Sequence, residues 1–121
     1  MIIAVDFDGT ITTGVYPSIT GEQPGAGDAI RQLHENGHYI IIWTCRCGRP
    51  LLDAINWLLE HNIPFDKVND HNPDNARQYG EGGNKIYADL YVDDKIVGGF
   101  PGWAKVLEEV TDMDMKSIVY P

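Results

Sequence analysis

The chain has 121 residues, 43% of them hydrophobic, with 18 acidic residues against nine basic ones and a net charge of -9. That size and composition predict one folded domain over 1–121, with a core of its own, and exclude a disordered chain. The charge argues against non-specific binding to nucleic acid or anionic membranes, and the longest apolar runs, 2–5 and 39–43, are far too short to span a bilayer.

The N-terminus reads Met1-Ile2-Ile3-Ala4-Val5-Asp6-Phe7-Asp8-Gly9-Thr10. An apolar run that ends in a turn signal predicts a strand buried on both faces, as in a parallel sheet. Residues 11–24 mix Gly, Pro, Ser and Thr and predict a loop or a small hairpin over the strand end. A helix is expected over 26–36, with Ile30 and Leu33 on its apolar stripe and Gly37 as its C-terminal cap. The second buried strand covers 39–43 and ends at Thr44. Cys45-Arg46-Cys47-Gly48-Arg49 then turns into a helix with Pro50 at its first position. Leu51, Leu52, Ile55, Leu58 and Leu59 give that helix a sheet-facing side, and it stops near Asn62.

A short third strand is predicted over 66–69. Residues 70–84 are polar and turn-rich, with room for one helical turn around 75–79. Lys85 precedes a fourth strand over 86–92, which ends in Asp93-Asp94. A Gly-rich turn leads into a helix carrying Trp103, Val106, Leu107 and Val110, and 117–120 reads as a fifth strand. Alternating strands and helices predict an α/β domain: a Rossmann-like three-layer sandwich with a mainly parallel sheet of about five strands.

Ligands of such sheets sit beyond the carboxyl ends of the strands. Asp6 and Asp8 therefore lie where chemistry is done, and Gly9 lets the chain turn so that both carboxylates converge. One divalent cation would neutralise them, and magnesium suits carboxylate and phosphate oxygens. Against this stands the plain reading of Asp-x-Asp-Gly as a solvated turn. Thr44 ends a second strand, Asp93 and Asp94 end a fourth, and Lys85 is expected to reach back over the site on its long stem.

With these residues the sequence resembles the haloacid dehalogenase superfamily, in its magnesium-dependent phosphatase branch. The match runs through Asp6-Phe7-Asp8-Gly9-Thr10, Thr44, Lys85 and Asp93-Asp94, in order and over nearly the whole chain. The resemblance implies a phosphomonoesterase that passes through an aspartyl phosphate. Asp6 is then the nucleophile, and Asp8 the acid on the leaving oxygen and the base on water. Thr44 and Lys85 bind the phosphoryl oxygens. Mg2+ is held by Asp6, Asp93 and the backbone carbonyl of Asp8, with Asp94 acting through water or orienting Lys85. Residues 11–24 and 70–84, where the family inserts caps, are too short for one. No cap domain is expected, which implies an open site, with large substrates or a neighbouring subunit covering it. The short spacing from Lys85 to Asp93 is similar to nucleotidase-like members and favours a small phosphomonoester such as a nucleotide or sugar phosphate.

Other signals are weaker. Arg46 and Arg49 lie close enough to Thr44 to touch a substrate, and read equally well as surface arginines. Cys45 and Cys47 lack the second pair that a zinc site needs. Their spacing is poor for a disulfide, and with no basic N-terminal region to suggest a signal peptide a cytoplasmic protein with reduced thiols is expected. His34, His38 and His61 are expected to face solvent, and His71 has no visible partner. The tryptophans fit core packing. The competing readings are a receiver-like signalling domain and a phosphate-binding protein without turnover. A receiver has its acceptor Asp after the third strand, an order that this chain does not follow.

Overall fold

A computed structural model describes residues 1–80 and 83–119. The elements in chain order are β1 (Ile2–Val5), β2 (Thr12–Thr13), β3 (Gly21–Glu22), α1 (Ala26–Glu35), β4 (Tyr39–Ile42), α2 (Gly48–Glu60), β5 (Lys67–Val68), α3 (Pro73–Tyr79), β6 (Leu90–Val92) and α4 (Trp103–Val119). The main sheet has four parallel strands in the order β5-β4-β1-β6, and β2 and β3 form a separate antiparallel pair. The hairpin over the first strand end is therefore present.

Successive side chains of a strand point to opposite faces. Ile3 and Val5 pair with Ile40 and Ile42, and all four lie in one core cluster with Ile30 and Leu33 of α1, Ala54 and Leu58 of α2, and Val106 and Val110 of α4. The three long helices thus share one face of the sheet. On the other face, Ala4 and Ile41 form a smaller cluster with Ile86 and Ala88, flanked by Ile2, Tyr39 and Trp43. The layer on that side is thin, and α3 buries no residue.

Four expectations are corrected. The fifth strand is absent: 117–119 continue α4, because a helix already under way continues with local hydrogen bonds whereas a strand needs a neighbour; Tyr120 lies outside the described residues. The fourth strand is three residues long. The Tyr91 hydroxyl donates to the Ile86 carbonyl (2.5 Å) and accepts from the Ala88 N–H (3.1 Å), which takes these groups out of the ladder. Helix α2 begins at Gly48, two residues before Pro50, with Cys47 as its N-cap. It packs through Ala54 and Leu58, while Leu52 and Leu59 are exposed. Helix α3 spans seven residues, with the Asn72 side chain accepting from the Asn75 N–H at 3.0 Å and Pro73 at the first position.

Candidate active site

The carboxyl ends of β1, β4 and β6 lie side by side, because β1 pairs with both of the others. Asp6, Thr44 and Asp93 follow these ends within two residues. Asp6 continues the ladder, its N–H donating to the Val92 carbonyl at 2.9 Å. One carboxylate oxygen each from Asp6, Asp93 and Asp94 lies within 4.8 Å of the others. Among the described residues no lysine or arginine forms an ion pair with any of the three. Burial, a hydrogen bond with Asp94 and repulsion from Asp93 together push the Asp6 carboxyl up to about 7.

Gly9 makes the convergence possible. Its φ is +81°, and a Cβ there would collide with the Asp94 carboxylate. Thr10 is fully buried behind it. Its carbonyl accepts from Trp103 Nε1 at 2.8 Å, and its hydroxyl lies 3.5 Å from Asp6 and 3.4 Å from Asp94. An all-oxygen donor set without a cationic side chain, in a cradle that tolerates no Cβ, fits a hard divalent cation.

Asp8 stands apart from that trio. Arg46 grips it with Nε at 2.8 Å from one oxygen and Nη2 at 2.7 Å from the other. The bidentate arginine thus engages both Asp8 side-chain oxygens, and the ligand expected from Asp8 was its backbone carbonyl. Arg46 itself is 3% exposed. Two of its other N–H groups reach the Pro50 carbonyl (3.0 Å) and the Pro17 carbonyl (3.1 Å), and its guanidinium lies 5.1 Å from the Phe7 ring centre and 5.0 Å from that of Tyr16. The hydrogen bond and charge of Asp8 raise the Arg46 pKa further above its ordinary value. Arg46 is buried and not a surface residue; it joins β1, the hairpin and α2 at one point. Arg49 pairs with Asp53 at the surface.

A cavity of about 300 Å3 opens beside the trio. Asp6, Asp8, Thr44, Arg46 and Asp93 line it, together with Tyr16, Cys45 and Lys95. The Thr44 N–H and carbonyl are both held by the Asn69 side chain, at 2.8 and 2.9 Å, and its Oγ1 accepts from the Arg46 N–H at 3.1 Å. Lys85 is not brought in. Its ammonium lies 4.6 Å from the Tyr91 ring centre and borders a different cavity, of about 470 Å3, with His71, Asn75 and Tyr87. A third cavity, of about 560 Å3, lies nearby along Lys67, His71 and Arg77. Neither holds a carboxylate cluster. Lys95, directly after the Asp pair, is the lysine at the site, a proximity the sequence could have suggested. Tyr16 was hidden inside the loop, where nothing marked it as arginine-backed.

His38 is also corrected. It is 5% exposed and bridges the N-terminal ammonium (2.9 Å) and Asp114 (3.0 Å). Cys45 and Cys47 are both free and exposed. No helix among the described residues is long and apolar enough to cross a membrane.

Fold and site define an α/β protein with a parallel sheet, no cap domain, and an acidic cluster with a hydroxyl at adjacent strand ends. No family model and no curated protein matches the chain. It is similar to the solved structure of a conserved protein coded by a locus from Bacteroides thetaiotaomicron, with 35% identity over 100% of this chain and 98% of that one, and a TM-score of 0.84. The chain belongs to the same family as that conserved protein.

Proposed function

We propose that the protein is a magnesium-dependent phosphohydrolase of the haloacid dehalogenase type, working through an aspartyl phosphate on Asp6. One juxtaposition carries the reading: three carboxylates within 4.8 Å of one another beside a cavity that also holds Asp8, Thr44 and Lys95. Asp6, Asp93 and Asp94 would hold Mg2+, which offsets the repulsion between a carboxylate and a phosphate dianion when bound. In the first step an Asp6 oxygen attacks phosphorus while the bond to the leaving oxygen breaks, its electron pair leaving with that oxygen. In the second, Asp8 takes a proton from the water that attacks phosphorus, and Asp6 and inorganic phosphate are released. Because Thr44 Oγ1 already accepts from the Arg46 N–H, its own proton is free to donate to a phosphoryl oxygen. Lys95 supplies the positive charge first sought in Lys85. Two free thiols and a magnesium requirement suit the cytoplasm.

Phosphate release from a panel of phosphomonoesters, with magnesium and with chelator, tests the reading. Magnesium-dependent release from a compound class is expected. No release from any compound by folded protein would overturn it, and a lasting phospho-Asp6 without release would point to a receiver-like role.

A further inference from the structure

Among the described residues, two other than glycine have left-handed backbones, Asn62 (φ +54°) and Asn69 (φ +51°). Asn62 follows helix α2, and a left-handed residue there is a common way to end a helix. Asn69 ends no helix. It follows β5, and its N–H donates to the Ile42 carbonyl at 2.8 Å, continuing the pairing of β5 with β4. From that point its side chain takes over from the main chain. Asn69 Oδ1 accepts from the Thr44 N–H at 2.8 Å, and Nδ2 donates to the Thr44 carbonyl at 2.9 Å. The amide thus does for Thr44 what a peptide group of a neighbouring strand would do. Asparagine suits both tasks: it enters the left-handed region more readily than other residues with a side chain, and it carries an acceptor and a donor side by side.

Asn69 is exposed, whereas Thr44 is half-buried on the wall of the cavity that Asp6 lines. Hydrogen bonds of exposed groups exchange for bonds to water at little net cost, so this clamp contributes little to holding the fold. What it fixes is direction. The residue before Thr44 is tied to β1, the Trp43 N–H donating to the Val5 carbonyl at 2.9 Å, and Asn69 holds the next peptide groups from the opposite side. Thr44 Oγ1 also accepts from the Arg46 N–H at 3.1 Å, and a β-branched side chain on a fixed backbone has few settings that keep that bond.

Resting on the phosphohydrolase reading, in which Thr44 donates to a phosphoryl oxygen, we propose that Asn69 is a positioning residue of the site, acting on the reaction through Thr44 without touching the substrate.

The probe is p-nitrophenyl phosphate at saturating magnesium. Asn69→Gly removes the clamp and keeps a residue at ease at positive φ, whereas Asn69→Ala removes the clamp and adds backbone strain. Both should lower kcat about tenfold or more, as expected of a displaced reacting group, and by nearly the same factor, although Asn69→Ala has the lower urea midpoint. KM should move less than kcat, because magnesium and Lys95 still gather the phosphate. The magnesium concentration at half-maximal rate should stay where it was, since Asn69 bonds to none of Asp6, Asp93 and Asp94. In Thr44→Val, which lacks the hydroxyl, adding Asn69→Gly should change kcat less than about twofold. An undiminished kcat in Asn69→Gly, an equal loss with and without the Thr44 hydroxyl, or losses that follow the urea midpoint would overturn the proposal and leave the phosphohydrolase standing. A parent protein that releases no phosphate from any phosphomonoester removes the phosphohydrolase reading, and this role of Asn69 with it.

Discussion

At the scale of single residues, Asp6 and Arg46 bear opposite signs of the same problem, charge taken from water. Asp6 is surrounded by carboxylates, and its carboxyl is pushed up to about 7. A group held above its unfolded value of 3.8 binds protons in the folded state that the unfolded chain has lost. Its contribution to stability is present in full below about 4 and is lost as pH rises through about 7. The cation-free protein should therefore unfold at lower urea near pH 8 than near pH 5, and millimolar magnesium should recover more of the midpoint at the higher pH. A midpoint that rises with pH in chelator would contradict this. Asp6→Asn removes the charge and the nucleophile together. Turnover should vanish, while the thermal midpoint in chelator at pH 8 should equal or exceed that of the parent. Arg46→Ala strips the partner from Asp8 and removes a donor from each of the Pro17 and Pro50 carbonyls. Losses of about 3 kcal/mol are usual for such breaks, and urea unfolding would measure it.

At the scale of elements, what could be read from the chain followed the strength of local pattern. Strands β1 and β4, helix α1 and the convergence of Asp6, Asp93 and Thr44 were legible, because apolar runs meet polar residues at the very points where buried strands end. What escaped was decided by side chains from elsewhere. Tyr91 withholds the 86–88 backbone from the sheet, and nothing in the sequence of that stretch announces it. The same holds for Arg46: two cysteines and a helix start say nothing of Asp8, 38 positions earlier. Lys85 was expected to reach back over the site on its long stem, from the far end of a fourth strand beginning at Ile86. The shorter β6 leaves it on the Tyr91 ring. Lys95→Ala should accordingly weaken phosphomonoester turnover more than Lys85→Ala does, and kcat/KM for the two variants would compare them directly.

At the scale of the whole molecule, the sheet is thickly covered on one face and thinly on the other, and the site lies open at one end. No inserted domain covers Asp6, so a reaction that benefits from excluding water calls for another cover. A second copy of the chain would serve, and self-association is expected. Light scattering that finds only monomer at high concentration would count against it. The net charge of -9 sets a condition on that association: like-charged surfaces meet more readily when screened, so the dimer fraction should rise with salt.

The indole of Trp103 donates to the carbonyl of Thr10, whose hydroxyl lies between two of the three clustered carboxylates. A buried fluorophore is thus wired by one residue to the seat of the charge. Binding of a divalent ion there would change the field at the ring, and the emission of the unlabelled protein becomes its own titration signal. Trp103→Phe would silence that signal, leaving Trp43 and Trp57 as the background against which it is read.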